Sequence, residues 1–506
     1  MSASPSSSPP QSPAPGASAP SRLNTVIARN AAFITVGQLA LKIVNFLYTL
    51  YVVRRLGGSQ FGQYSTVLGW VGLFFIFAEL GVSQYASREV ARDHSQSSGM
   101  FWNLIGIRLA LAVVGIIGIT AGAMAVGYSH ALVLGVFFFT WTFVLSAIEA
   151  PLEAVLNAHE RMDLVTILSV FQQIVYNLMA GFVLLRGYGF IELIAVGNIA
   201  MLPQIALAIY YVRKHKLIHR PVVFDYKRWP AMIRFGIPFA MITLALTITF
   251  SADTVMLSKF RDSAEVGWYN VAYNFSRSLL FFFSGLSTAI VPTLSREFVR
   301  DSSTVERWFH RFVKFIALTS IPLAAGGMVV SSQLIPFLYS AQYAPAALAF
   351  AIIVWDVPCL MFTSLAGNIT TIVNEEKSAA RIYGTIAVLN VILNLILIPR
   401  FGMIAASSTT VITDLVGVVL FHQLLGKKLK LPDMRPVLAR VVVVAALVAL
   451  VAWLLMLAAW PLILVLITCA GVYVFLVVAL RLLNDDERRI VARLFQRLIP
   501  QPQPQP

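Results

Sequence analysis

Three basic side chains (Lys42, Arg108 and Arg277) and four acidic ones (Glu149, Asp253, Asp356 and Asp414) stand in stretches of this sequence that are otherwise almost wholly apolar. An ionised group in hydrocarbon is costly unless it faces a wet cavity or a partner, so each is a functional candidate. Three cations at membrane depth would attract a phosphate or diphosphate. The acids would balance them, or take up H+ or Na+. Asp253 is the leading candidate for ion coupling, with Glu149, Asp356 and Asp414 beside it, although it lies about a turn from the outer end of its segment, where water could solvate it.

Polar residues gather at the three- and four-residue spacing that puts them on one helix face. Gln38, Lys42 and Asn45 form one such stripe, as do Glu149, Glu153 and Asn157, then Asn270, Asn274 and Arg277. Gln173, Tyr176 and Asn177 form another, and Asn390 and Asn394 a shorter one. Lys42, Arg108, Arg277, Asn45, Asn270 and Asn274 are the candidate substrate-binding set. For lone amides the competing role is interhelical hydrogen bonding, worth on the order of 0.6 kcal/mol each. Glu79, Glu153 and Asn157 lie shallow, near helix ends, and Glu79 reads as structural. No catalytic constellation and no glycine-rich phosphate loop with its lysine is present, so the chain is read as a non-enzyme without a bound cofactor. Cys359 and Cys469 both sit in apolar segments and the seven histidines are scattered, so no metal site is expected.

The elements that must position these groups are membrane helices. Of 506 residues, 58% are hydrophobic and only 12% charged, with a mean hydropathy of +0.78. A soluble protein carries about twice that charged fraction. Spans need about 20 apolar residues, and fourteen such segments are expected between Thr25 and Arg481, giving an all-α integral membrane protein. Of the 38 Lys and Arg residues, only Arg54, Arg55, Arg186, Lys259, Arg261 and Arg400 fall in outside connections when the N-terminus is placed in the cytoplasm. Both termini are therefore expected inside, in a multi-pass protein of the inner (plasma) membrane. The +15 net charge is topological and implies no nucleic-acid partner.

The expected organisation begins with a Ser/Pro-rich disordered cytoplasmic tail at 1–21. An N-terminal six-helix lobe at 22–213 and a basic cytoplasmic linker at 214–229 follow, then a C-terminal six-helix lobe at 230–426. Two extra helices occupy 427–483. The tail at 484–506 contains ERRIVARLFQRLIP, a basic amphipathic helix suited to anionic membrane lipids.

The two lobes are read as a duplication. A shift of 205 carries Gly62 to Gly267 and Tyr64 to Tyr269, and Ser87-Arg88-Glu89 recurs as Ser295-Arg296-Glu297. A shift of 217 carries Asn157 to Asn374 and Asn177 to Asn394. Six helices per copy make the repeats parallel, with a substrate site expected between them.

NAAFITVGQLALKIVNFLYTLYVVRRLGGSQFGQYS and AELGVSQYASREVAR, with RFGIPFAMITLALTITFSADTVMLSKF, VGWYNVAYNF and IVPTLSREF, resemble the two half-openings of bacterial polysaccharide-biosynthesis flippases of the O-antigen transporter type. The likeness covers most of 24–425. It implies the superfamily that also holds multidrug extruders and the lipid II flippase, with two six-helix lobes forming a V and alternating access. The implied cargo is an undecaprenyl-diphosphate-linked oligosaccharide moving from the cytoplasmic to the outer leaflet for surface polysaccharide export. A polysaccharide polymerase and glycosyltransferases are the implied partners. Intramembrane charges line the cavity in that group without forming a fixed motif, so Lys42, Arg108, Asp253 and Arg277 fit by location alone. A cation-coupled multidrug exporter, a lipid II flippase and a non-transporting scaffold for polysaccharide synthesis are the alternatives.

Overall fold

The computed structural model describes residues 22–92, 97–159, 161–218, 224–280, 302–429 and 433–482. Among them every regular element is helical: α1 (Arg22–Glu79), α2 (Val82–Arg92), α3 (Ser97–Ala125), α4 (His130–Ala158), α5 (Met162–Leu185), α6 (Phe190–Lys214), α7 (Trp229–Phe260), α8 (Ser263–Leu279), α9 (Ser302–Tyr339), α10 (Ala346–Ile353), α11 (Asp356–Ile372), α12 (Glu376–Gly426), α13 (Arg435–Leu457) and α14 (Leu462–Ala479), with two short 3-10 turns. Ten spans among the described residues are long and apolar enough to cross a membrane. α1 and α12 each hold two of the expected segments, separated by backbone breaks at Gly57 (φ 76°) and Gly402 (φ 57°). Large apolar side chains such as Phe77, Val114, Leu178 and Phe475 are exposed, as the lipid-facing surface of a multi-pass membrane protein requires.

The chain divides into two units, residues 1–51 and 52–506. In the first, the Thr49 hydroxyl donates to the Asn45 carbonyl at 2.8 Å, and the Asn45 side chain is half-buried. The Lys42 side chain lies outside the described residues, as do the tails at 1–21 and 484–506 and the Ser295-Arg296-Glu297 copy.

Within the second unit the duplication is visible as a seam. A Cβ on Gly62 would sit 1.6 Å from the Ser263 carbonyl oxygen, and one on Gly267 would sit 2.2 Å from the Gly58 oxygen. The shift of 205 that carries Gly62 to Gly267 also carries Gly58 to Ser263, so the two contacts are images of each other. Glycine is required on both sides because only a bare Cα permits this backbone approach. Gln60 and Glu265 are the next repeated pair: Gln60 reaches Gly189, and Glu265 reaches Gly402 and accepts from the Met403 amide at 2.7 Å. Arg54 extends the seam by donating to the Phe337 and Leu338 carbonyls, and the Tyr343 hydroxyl donates to the Val53 carbonyl.

A second glycine contact closes the opposite end. Gly81, with φ 69°, packs against the Gly236 carbonyl, where a Cβ would come to 2.2 Å. α7 begins inside the N-terminal lobe: Trp229, Met232 and Ile233 pack with Val82, Ala86, Leu104, Ile107 and Ala154. The incoming linker is pinned there, since the Asp225 amide and Trp229 Nε1 both donate to Asn103 Oδ1, at 2.8 and 3.3 Å. Phe224 lies where a Gly106 side chain would be. Asn103→Ala is expected to leave the half-buried Trp229 indole N–H and the Asp225 amide without this acceptor, at about 1–3 kcal/mol, and to speed tryptic cleavage in the basic stretch 213–228. Unchanged cleavage rates would show that the pin does not hold the linker.

The lobes have separate apolar cores. Phe101, Leu152, Leu156, Leu168 and Met201 build one, and Phe309, Val357, Leu365, Ile369 and Phe421 the other. α13 and α14 attach to the second lobe through α9, where Leu318 meets Val441, Val444 and Val477 and Tyr473 donates to the Leu318 carbonyl at 3.0 Å.

Candidate functional site

The sequence-marked polar residues of the C-terminal lobe converge. Asp253 on α7 is 2% exposed. Its Oδ1 accepts from Asn394 Nδ2, and its Oδ2 accepts from the Tyr269 and Thr410 hydroxyls, both at 2.9 Å. Solvation from the helix end, expected from its position in the sequence, does not occur: α8 and α12 cover it. Asn394 also donates to Asn390 Oδ1 at 2.9 Å and accepts from the Thr409 hydroxyl. Asn270 accepts from Thr254 at 3.1 Å and donates to the Val266 carbonyl. An anion is thus held by three neutral donors from two helices, α8 and α12, the arrangement that offsets carboxylate desolvation without a paired cation.

The repeat explains where these amides came from. The shift of 217 that pairs Asn177 with Asn394 also pairs Gln173 with Asn390, and each lobe joins the same two positions with the donor exchanged: Gln173 Nε2 donates to Asn177 Oδ1, whereas Asn394 Nδ2 donates to Asn390 Oδ1, both at 2.9 Å.

One turn from Tyr273, Arg277 reaches Asp356, with Nη2 to Oδ2 at 3.4 Å, and its guanidinium stacks over the Tyr273 ring at 4.9 Å. The Arg277 side chain is 17% exposed and the neighbouring Asn274 is exposed, so this helix face is partly open. Asp356 does not sit inside a continuous helix, as expected from an unbroken 345–373 segment. It opens α11 after a break at Val354 and Trp355. Pro358 is the cause: it offers no N–H to the Val354 carbonyl and its ring crowds that group, so the Val354 carbonyl accepts from the Val357 amide instead, at 3.2 Å. The Ser276 hydroxyl donates across to the Ile353 carbonyl at the same break.

In the N-terminal lobe Arg108 is 2% exposed and fully engaged on one side. Its Nη1 contacts Glu79 Oε2 at 3.2 Å and donates to Ser83 at 2.6 Å, while Nη2 donates to Ser146 at 3.2 Å. Glu149 is half-buried and accepts from Gln204 at 3.1 Å. Arg108 therefore ties the end of α1 to α3 and α4, and the structural role read for Glu79 has its partner here. Lys314, absent from the sequence candidates, is 6% exposed within α9; its position six residues inside the expected start of a span was the available signal. The threonines at 409, 410 and 413 were also missed, because hydroxyls in membrane helices carry little signal of their own.

Between α8, α9, α10, α13 and α14 lies a hollow of about 340 Å³ with an almost wholly apolar lining, including Phe275, Leu323, Phe350, Val448 and Cys469.

Residues 27–298 match the family model described as polysaccharide biosynthesis protein, and residues 238–396 match MatE. The chain is 22% identical over 416 residues to "Probable low-salt glycan biosynthesis flippase Agl15" of Haloferax volcanii, covering 78% of this chain and 82% of the relative. It is 26% identical over 206 residues to "Probable flippase AglR" of the same organism, covering 38% and 42%. In fold it is similar to the lipid II flippase MurJ in an inward closed conformation, with a TM-score of 0.71 at 14% identity over 89% of this chain and 99% of that one. An inward-facing multidrug resistance MATE family transporter is similar at a TM-score of 0.59 and 13% identity, covering 75% and 94%.

Proposed function

Because the chain belongs to the polysaccharide biosynthesis protein family, we propose that it carries an undecaprenyl-diphosphate-linked oligosaccharide from the cytoplasmic to the outer leaflet by alternating access. The observation that carries this reading is Arg277, a cation at membrane depth that is partly open beside the exposed Asn274. In this reading the pair contacts the cargo's diphosphate, while Arg108 and Asn270, both sealed, hold their helices in place. The polar headgroup needs such replacement partners because its hydrogen-bonding groups cannot lose water uncompensated. The apolar hollow against α13 and α14 suits the hydrocarbon tail. The glycine seams at the two ends are the contacts that part in turn as the lobes rock. Transport is coupled to H+ or Na+ through carboxylates of the polar clusters, Asp253, Asp356, Asp414 and Glu149. The chain lies in the inner membrane with both termini cytoplasmic, its basic face on anionic lipids, and it works beside a polymerase and glycosyltransferases.

The MatE match over 238–396 favours one rival, a multidrug exporter. Reconstitution in liposomes separates the two. Loss of undecaprenyl-diphosphate glycan from the reach of a membrane-impermeant glycosidase, with no export of cationic dyes, is the expected result. Dye export without glycan movement would overturn the assignment in favour of the rival.

A further inference from the structure

We propose that Arg54 and Lys259 are a matched pair of latches that hold the two lobes together at the outer end, and that their release sets how readily the protein opens to that side. The inference rests on the topology and rocking motion proposed above and assigns the residues that control it.

The two cations are images of each other. The shift of 205 carries Arg54 to Lys259 and Val53 to Ser258. Each cation reaches out of its own hairpin to the end of the third span of the other lobe. Arg54 Nε donates to the Leu338 carbonyl at 2.7 Å and Nη2 to the Phe337 carbonyl at 2.6 Å, at the end of α9. Lys259 Nζ donates to the Val126 carbonyl, just past the end of α3. A tyrosine completes each side. The Tyr343 hydroxyl donates to the Val53 carbonyl at 2.8 Å, and the Tyr128 hydroxyl meets Ser258 Oγ at 2.8 Å. Ser258 gives its own proton to the Val255 carbonyl, so Tyr128 is the donor. Each lobe thus sends one cation and one tyrosine to the other.

The last carbonyls of a helix have no intrahelical partner and carry the negative end of its dipole. The chain leaves α3 through Gly127 at φ 81° and α9 through Ser340 at φ 93°, so neither helix continues and these carbonyls accept from the cations instead. Both cations are exposed. Water can therefore replace the carbonyls when the lobes part, which keeps each latch weak enough to release. Arg261, a third outside cation, caps the Pro399 and Arg400 carbonyls at 3.3 and 2.8 Å, but within its own lobe. It is the internal control.

The test uses the full chain in liposomes, with Cys359→Ala and Cys469→Ala removing the native thiols and Thr66→Cys adding a reporter. Thr66 lies one turn past Gly62 on the same helix face and is 2% exposed, so a membrane-impermeant maleimide reaches it only when the seam parts. Tryptic cleavage of the basic stretch 213–228 reads which face of the protein the reagent meets. From the face opposite that stretch, Arg54→Gln and Lys259→Gln should each speed labelling about three- to tenfold. The double variant should speed it about ten- to a hundredfold, because the two latches share no atom. Arg54→Lys and Lys259→Arg keep the charge and should label close to the wild-type rate, a rescue that unfolding would not show. Arg261→Gln should also stay close to wild type. Should one of the two glutamine variants fail to insert, the other reads the same opening. Labelling unchanged in the double variant, or raised equally by Arg261→Gln, overturns the proposal even where glycan still crosses. Faster labelling with the expected rescue, in a protein that moves no glycan, supports the latches and overturns the flippase reading instead.

Discussion

Gly62→Ala should destabilise the protein by about 3 kcal/mol or more, at the upper end of overpacking costs, and reduce glycan export at least tenfold. The added methyl would occupy the position of the Ser263 carbonyl, 1.6 Å away. The obstacle is backbone at the start of α8 and cannot rotate aside, so the hairpin contact between the lobes must open. Gly267→Ala should act alike, because its Cβ meets the Gly58 carbonyl at 2.2 Å. The two variants combined should cost less than their sum, since the first already opens the seam the second would open. Gly118→Ala is the control. Nothing lies within 4 Å of its would-be Cβ, and replacing a helical glycine gains up to about 1 kcal/mol. Thermal unfolding in detergent and export in cells provide the two readouts. A Gly62→Ala protein that melts with the wild type would show that the two hairpins are not in register as described.

The same glycines mark how far the sequence could be read. The Gly-x-Tyr hairpin recurs at a fixed shift because both copies meet at one pseudo-symmetric contact, and that constraint reaches the sequence directly as repeated residue types. Membrane spans were equally legible, since lipid demands long apolar runs whatever the tertiary partners. The placement of α7 was not. Trp229 and Met232 are apolar residues like many others, and nothing local says that they belong to the first lobe's core while Asp253, at the other end of the same helix, belongs to the second's.

Within the site, residue types were legible and partnerships were not. Asp253 and Arg277 are both on the first polar inventory, one as a coupling and one as a binding candidate. The structure gives each its own partners: Asp253 takes Asn394, Tyr269 and Thr410, while Arg277 takes Asp356. Those partners lie more than 70 residues away for Arg277 and more than 140 for Asn394, so local spacing could not reveal them. Arg108 shows the same limit, with Glu79 at the end of a different helix. The break at Val354 had a readable cause in Pro358, two residues after Asp356, but the length of the apolar run hid it.

The Arg277–Asp356 pair yields the prediction that separates binding from scaffolding. Arg277→Gln removes the cation and leaves a buried carboxylate without it, which costs about 3–5 kcal/mol. Asp356→Asn, added to it, removes that orphaned charge, so the double variant should recover most of the lost thermal stability. Export, read as glycan equilibration across liposomes with no ion gradient so that a coupling role of Asp356 does not enter, should not recover with it. If Arg277 contacts the cargo's diphosphate, both the single and the double variant lack the charge that does so, and both should export at least tenfold less than wild type; a missing charged hydrogen bond costs about 1.5–3 kcal/mol, which is a factor of ten or more. Arg277→Lys keeps the charge but loses the planar fork, and should export at an intermediate rate. A double variant that regains both stability and export would make Arg277 a partner of Asp356 and nothing more, and the cationic contact would then have to be sought at Lys42 or Lys314.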